Sequence, residues 1–108
     1  MNTAYRAPYR YQQLMQHITL AHQARANDEV LFQEVAGEAV LLNLTSERYF
    51  GLDPVGTHIW DLINSNLTLQ QVHQSLCDTY DASPAKLQED LLALVAELAE
   101  AGLITVGE

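Results

Sequence analysis

The chain is short of most of the residues from which catalytic and metal sites are built. Its 108 residues hold one cysteine, Cys77, so no intrachain disulfide can form and a reducing, cytoplasmic setting is expected. No apolar run approaches the roughly eighteen residues needed to cross a bilayer, and the N-terminus lacks the basic-then-apolar order of a secretory signal. No glycine-rich phosphate loop of the Walker or Rossmann kind is present. Internal repeats and low-complexity tracts are also missing. Basic residues are scarce as well: five Lys and Arg stand against 14 Asp and Glu, for a net charge of −9.

That charge is unevenly spread. Residues 1–27 hold Arg6, Arg10 and Arg25 and no acid, whereas all 14 acids lie in residues 28–108 with only Arg48 and Lys86 beside them. So acidic a body repels a phosphate backbone, which disfavours nucleic acid and makes a basic or neutral peptide the more natural partner. Hydrophobic content of 48% is ample for one compact domain of this length.

What is present reads as an α+β domain. In the N-terminal segment Tyr11, Leu14, Met15, Ile18 and Ala21 recur at helical spacing, after an aperiodic arm that contains Pro8. Asn27-Asp28-Glu29 breaks that pattern, and from Val30 the period becomes two. Val30 to Val35, Ala39 to Leu44 and Arg48 to Leu52 are expected to form a three-stranded antiparallel meander, with turns at Ala36-Gly37-Glu38 and Thr45-Ser46-Glu47. Both faces of the middle strand are fairly apolar, so cover is expected on more than one side.

Three helices follow. Asp53-Pro54 and Ser83-Pro84 each supply an N-cap and a proline at the first helical position, and Thr68 with Gln71 forms a capping box. The expected apolar faces are Val55, Ile59, Leu62 and Ile63, then Leu69, Val72, Leu76 and Tyr80, then Leu87, Leu91, Leu94, Val95 and Leu98. Gly102 sits where a left-handed C-cap belongs, and Leu103 to Val106 is either a short final strand or an apolar tail. Strands followed by helices on one side of a small sheet are compatible with a winged helix-turn-helix.

Candidate chemistry is thin. His73 and Cys77, four apart on one helix, are the best-placed ligand pair, but no second dense pair accompanies them, so no metal site is expected. His17 and His22 do not align on a helix, and His58 reads as a polar surface residue. Glu89-Asp90 and Glu97 with Glu100 read first as a solvated helix face and second as an acidic rim able to hold Lys or Arg of a bound peptide. No catalytic residues are assigned.

The segment that suggests a task is Arg48-Tyr49-Phe50-Gly51-Leu52. In a meander its outer side has no partner, and it lacks the lysines or proline that blunt an edge. Gly51 leaves room for another backbone, so an extended peptide could add there. The competing expectation is an edge covered by the chain's own N- or C-terminal segment.

These residues and those that follow resemble the PqqD-like family of stand-alone RiPP recognition elements, which bind the leader segments of ribosomally made precursor peptides. The family pattern, Tyr-x-x-Leu-Asn/Asp and then Gly-x-x-Ile-Trp-x-Leu, is met by Tyr49, Leu52, Asp53, Gly56, Ile59, Trp60 and Leu62. The match runs from about residue 29 to 106. The resemblance implies a winged-helix-like fold of three strands and three helices, with no catalysis and no cofactor. It implies a leader peptide added as a fourth strand and presented to a maturation enzyme such as a protease, cyclase or radical enzyme. Carried onto this chain, one wall of the groove is Arg48, Tyr49, Phe50, Gly51 and Leu52, and the other is the helix face around Leu87, Asp90, Leu91 and Leu94. Trp60 and Ile59 are then core that fixes the strand–helix corner.

The division of the chain expected on this basis is residues 1–28 as an N-terminal arm and helix and residues 29–108 as the recognition domain. Three roles compete for the first part: a helix that packs on the sheet or forms a homodimer, a mobile arm, or a segment whose Tyr5-Arg6-Ala7-Pro8 occupies the groove itself. Two other functions stand against peptide recognition. One is a dimeric scaffold or adaptor without peptide binding; the other is a winged-helix transcription regulator, which the acidic third helix disfavours.

Overall fold

The computed structural model describes residues 18–107. In chain order the elements are β1 (Gln23–Ala26), β2 (Val30–Val35), β3 (Glu38–Asn43), β4 (Arg48–Leu52), α1 (Pro54–Ile63), α2 (Leu69–Thr79), α3 (Pro84–Glu100) and β5 (Ile104–Gly107). Strands β2, β3 and β4 form the expected antiparallel meander in that order, and β1 and β5 form a separate antiparallel pair.

The meander owes its register to a tight turn. Ala36 and Gly37 both have positive φ, 55° and 84°, which is the geometry of a two-residue turn whose twist suits a hairpin. One face of the sheet then carries Ala39, Leu41 and Asn43 inward, with Phe50 and Leu52 beside them on β4. Against this face lie the helices, and the core between them contains Leu41, Ile59, Trp60, Ile63, Leu76, Leu91, Val95 and Leu98. Trp60 is 5% exposed and stacks on Phe32 of β2, with ring centroids 6.3 Å apart and planes 6° apart. The indole thus fastens α1 to the sheet, as the sequence suggested.

Helix starts follow the expected chemistry. Asp53 Oδ1 accepts from the Gly56 N–H at 2.7 Å, Ser83 Oγ accepts from the Lys86 N–H at 3.1 Å, and Thr68 with Gln71 closes a full capping box. Two apolar expectations shift. Val55, in the first turn of α1, is 38% exposed rather than core. Tyr80 is the half-buried residue just beyond α2, where its hydroxyl lies 3.1 Å from His58 Nδ1.

The helix expected around Tyr11 to Ala21 lies mostly outside the described residues. Ile18 and Ala21 themselves are not helical: Ile18 is in irregular backbone and Ala21 in the turn that leads into β1. Ile18 and Ala24 are buried, and the Leu20 and His22 carbonyls accept from the N–H groups of Gln70 and Leu69, both at 2.8 Å. β1 was not foreseen. Gln-Ala-Arg-Ala has little strand propensity of its own, and its conformation comes from pairing with β5. The same pairing decides the C-terminal ambiguity in favour of a strand.

One side chain joins the two ends of this fold. Buried Asn43 donates from Nδ2 to the carbonyls of Ala101 (3.1 Å) and Gly102 (3.2 Å), and its Oδ1 accepts from the N–H groups of Thr45 and Ser46. The β3–β4 turn is therefore tied to the C-terminus of α3. Gly102 has φ +75°, and an added Cβ would stand 2.9 Å from Asn43 Nδ2. Replacing Asn43 with Ala is expected to destabilise the domain by about 1–3 kcal/mol, since buried partners are left unpaired. Urea unfolding measures this, and a change under about 0.5 kcal/mol would contradict the role given to Asn43.

Candidate functional site

The phase of the hydrogen-bond ladder decides which groups β4 offers. A two-residue turn makes Val35 and Glu38 a hydrogen-bonded pair, and pairing alternates from there. The Leu44 N–H donating to the Glu29 carbonyl at 2.8 Å falls on the same phase. Ala39 and Leu41 therefore turn their main-chain groups toward Leu52 and Phe50 of β4. What remains on the far side is the N–H and C=O of Tyr49 and Gly51, directed away from the sheet. No strand among the described residues pairs with this edge. The C-terminal segment, one of the two expected covers, is committed to β1 instead.

Beside the edge, on the helix side, runs an open groove of about 470 Å³. Phe50, Gly51, Leu52 and Asp53 line one wall, and Asp90, Leu94 and Glu97 line the other. Val55, Gly56 and Ile59 of α1 close its end. Asp90, Leu94 and Glu97 are spaced at four and three residues, so they form one stripe along α3. A neighbouring stripe, Leu87, Leu91, Val95 and Leu98, is buried in the core.

That one-position offset sorts the expected site residues. Phe50, Gly51, Leu52, Asp90 and Leu94 come together around the groove. Leu87 and Leu91, expected on the helix wall, are 7% and 0% exposed and serve the core instead. The reason is helical geometry: residues 100° away from the groove stripe must face the sheet and the other helices. Arg48 is exposed at the start of β4, and Tyr49 is 74% exposed on the opposite face of the sheet. Val55 was missed as a groove residue, and Glu97 was expected only as part of an acidic rim and not on the groove wall. Counting three and seven onward from Leu94 and Asp90 finds Glu97, but nothing in the sequence says that the first turn of α1 opens onto the groove.

A second depression, of about 640 Å³, lies on the other side of the same edge and is lined by Gln33, Val35, Glu38, Val40 and Gly51 among others. It belongs to an apolar sheet face on which Leu31, Val35, Val40, Leu44 and Tyr49 are all well exposed. Gly51 is shared by both hollows, and no atom lies within 4 Å of where its Cβ would stand.

Electrostatically the groove is acidic. Asp53, Asp90 and Glu97 line it with no lysine or arginine among the lining residues. Lys86 reaches Asp90 at 3.1 Å and Glu89 at 3.7 Å in exposed ion pairs of the first turns of α3. Partial burial pushes the Glu97 carboxyl above the usual carboxylate range. His73 and Cys77 are drawn into structure: His73 Nε2 donates to the Pro84 carbonyl at 2.8 Å, joining α2 to the start of α3, with Cys77 Sγ 3.6 Å away. Among the described residues no three His, Cys, Asp or Glu side chains converge as metal ligands would, and no helix is long and apolar enough to cross a membrane.

Known proteins carry the same architecture. The bifunctional coenzyme PQQ synthesis protein C/D of Methylorubrum extorquens is 39% identical over 69 residues, which is 64% of this chain but 18% of that protein. The chain thus spans less than a fifth of the length of that relative. Among solved structures, TbiB1 in complex with the TbiA(beta) leader peptide is 30% identical, with a TM-score of 0.70 over 74% of this chain and 93% of that one. A lasso peptide synthetase B1 complexed with the leader peptide, at 24% identity, shares the fold, with a TM-score of 0.71 over 77% and 98% of the two chains. The solution structure of the PqqD truncation of Methylobacterium extorquens PqqCD, described as a functional and stand-alone RiPP recognition element, is 31% identical. Its TM-score is 0.63 over 76% of this chain and 87% of that one. The family model for coenzyme PQQ synthesis protein D (PqqD) matches residues 38–104, from the start of β3 into β5, and on that match the chain belongs to the PqqD family.

Proposed function

We propose that the chain is a peptide-binding module that takes the leader segment of a ribosomally made precursor as an added strand on β4 and presents it to a maturation enzyme. The observation that carries this reading is the unpartnered edge at Tyr49 and Gly51, running beside an open groove between β4 and α3. Its support from outside is TbiB1, a protein of similar sequence and fold whose structure holds a leader peptide. An added strand gains main-chain hydrogen bonds from the edge, and its alternate side chains enter the groove. The module needs no chemistry of its own in this reading, and it works in the cytoplasm, where precursor peptides are made and modified. Its three helices and sheet form a winged-helix-like arrangement without a nucleic-acid role, since α3 carries four acids and one lysine.

The test is a titration of the protein with a labelled leader peptide from a precursor gene next to its own, followed by amide exchange. Saturable binding with new protection of the Tyr49 and Gly51 amides is expected. Binding that leaves both amides unprotected would place the peptide elsewhere, and no binding by any neighbouring leader would favour a scaffold or adaptor.

A further inference from the structure

The sheet face remote from α3 has a gap, and the gap lies on the strand edge offered to a guest. Cross-strand rows on that face read Leu31, Leu42 and Tyr49, then Gln33, Val40 and Gly51. At β4 the first row ends in a phenol ring and the second in a bare glycine. The depression of about 640 Å³ opens there, with Val40 and Gly51 in its floor and Gln33, Val35 and Glu38 beyond them. Val35 and Val40 are both well exposed. Among the described residues no atom lies within 4 Å of where a Cβ of Gly51 would stand.

The hydrogen-bond ladder decides what enters this gap. Gly51 directs its N–H and C=O away from β3, so a strand added antiparallel to β4 places one residue in a hydrogen-bonded pair with it. Directly paired residues carry their side chains on the same face, so this residue turns toward the remote face and not into the groove. Its two neighbours, opposite Phe50 and Leu52, face the groove instead. From the guest Cα to that of Val40 is roughly 10 Å, one hydrogen-bonded and one non-hydrogen-bonded spacing. Ala or Ser leaves that distance open. A long or aromatic side chain lies across Gly51 and reaches Val40, as aromatic side chains cover glycines at sheet edges. We propose that a bound peptide is anchored by a large apolar side chain opposite Gly51, seated on Val40 on the face remote from α3. The assignment rests on the strand addition proposed above and names the residue that fastens the added strand.

Random twelve-residue peptides displayed on phage, selected on the wild-type protein and counter-selected on the Gly51→Pro protein, reveal the anchor. At one position Phe, Tyr, Trp, Leu or Met is expected to outnumber Ala and Ser about two- to fivefold, the range that cross-strand aromatic and β-branched pairs give. On a Val40→Glu protein that position should turn to Lys or Arg. On a Gly51→Phe protein, where the chain's own ring takes the seat, it should lose its preference for size. A Leu94→Asp protein marks the groove-facing positions of the same peptides, and these must lie an odd number of residues from the anchor. Val40 and Gly51 are both exposed, and circular dichroism establishes that each variant is folded. Gly51-dependent peptides overturn the anchor, and leave strand addition standing, if they show no such position or keep the preference on either variant. An even spacing from the groove-facing positions has the same meaning. If no enriched peptide depends on Gly51, strand addition and the anchor fall together.

Discussion

Replacing Gly51 with proline is expected to weaken leader binding by roughly 30- to 150-fold while leaving the domain folded. The loss corresponds to about 2–3 kcal/mol, combining a missing main-chain hydrogen bond with the bulk of the ring at the contact line. The specificity of this change lies in the ladder. The Gly51 N–H points away from β3, so proline removes a donor offered to a guest and none used by the sheet. Gly51→Ala is the control, because its Cβ would meet nothing within 4 Å. Isothermal titration compares affinities, and thermal unfolding shows whether the fold is retained. Equal affinity of the proline variant and the wild type would remove β4 as the docking edge.

The second large effect is structural. Trp60→Ala is expected to cost about 3–5 kcal/mol, the usual range for deleting a buried large aromatic. The indole is 5% exposed, stacks on Phe32 and fills the space between α1 and the sheet. A domain of this size has only about 5–15 kcal/mol in total, so the melting temperature should fall by roughly 15–30 °C. Binding should fail in parallel, because α1 closes the end of the groove with Val55, Gly56 and Ile59. Chemical denaturation checks the figure; a cost below about 1 kcal/mol would mean that the strand–helix corner is held by something other than Trp60.

The sequence was most informative where local chemistry and period agree. The Asp53-Pro54, Thr68–Gln71 and Ser83-Pro84 starts and the strands flanking Ala36-Gly37 were all legible, because caps and turns act over three or four residues. β1 was not legible, since its partner lies some eighty residues away and its composition says nothing of strand. The site was half legible. Phe50, Gly51 and Leu52 follow from an edge argument that needs only strand order. On α3 the apolar pattern marks two adjacent stripes, and Leu94 belongs to one while Leu87 and Leu91 belong to the other. Only the packing of α3 against the sheet decides which stripe faces the groove.

The alternation along β4 has a consequence for how this protein could change over time. Of the residues that offer main-chain groups, Tyr49 turns its side chain away from the groove and Gly51 has none, whereas Phe50 and Leu52 face it and spend their main-chain groups on β3. A guest in register would divide its residues in the same way. Grip and discrimination would then reside in different positions on both partners. Exchanges at Asp90, Leu94 or Glu97 could retune which peptide is accepted without loosening the hold on any extended chain. The same edge could thereby pass from one precursor to another through a few surface substitutions on a single helix.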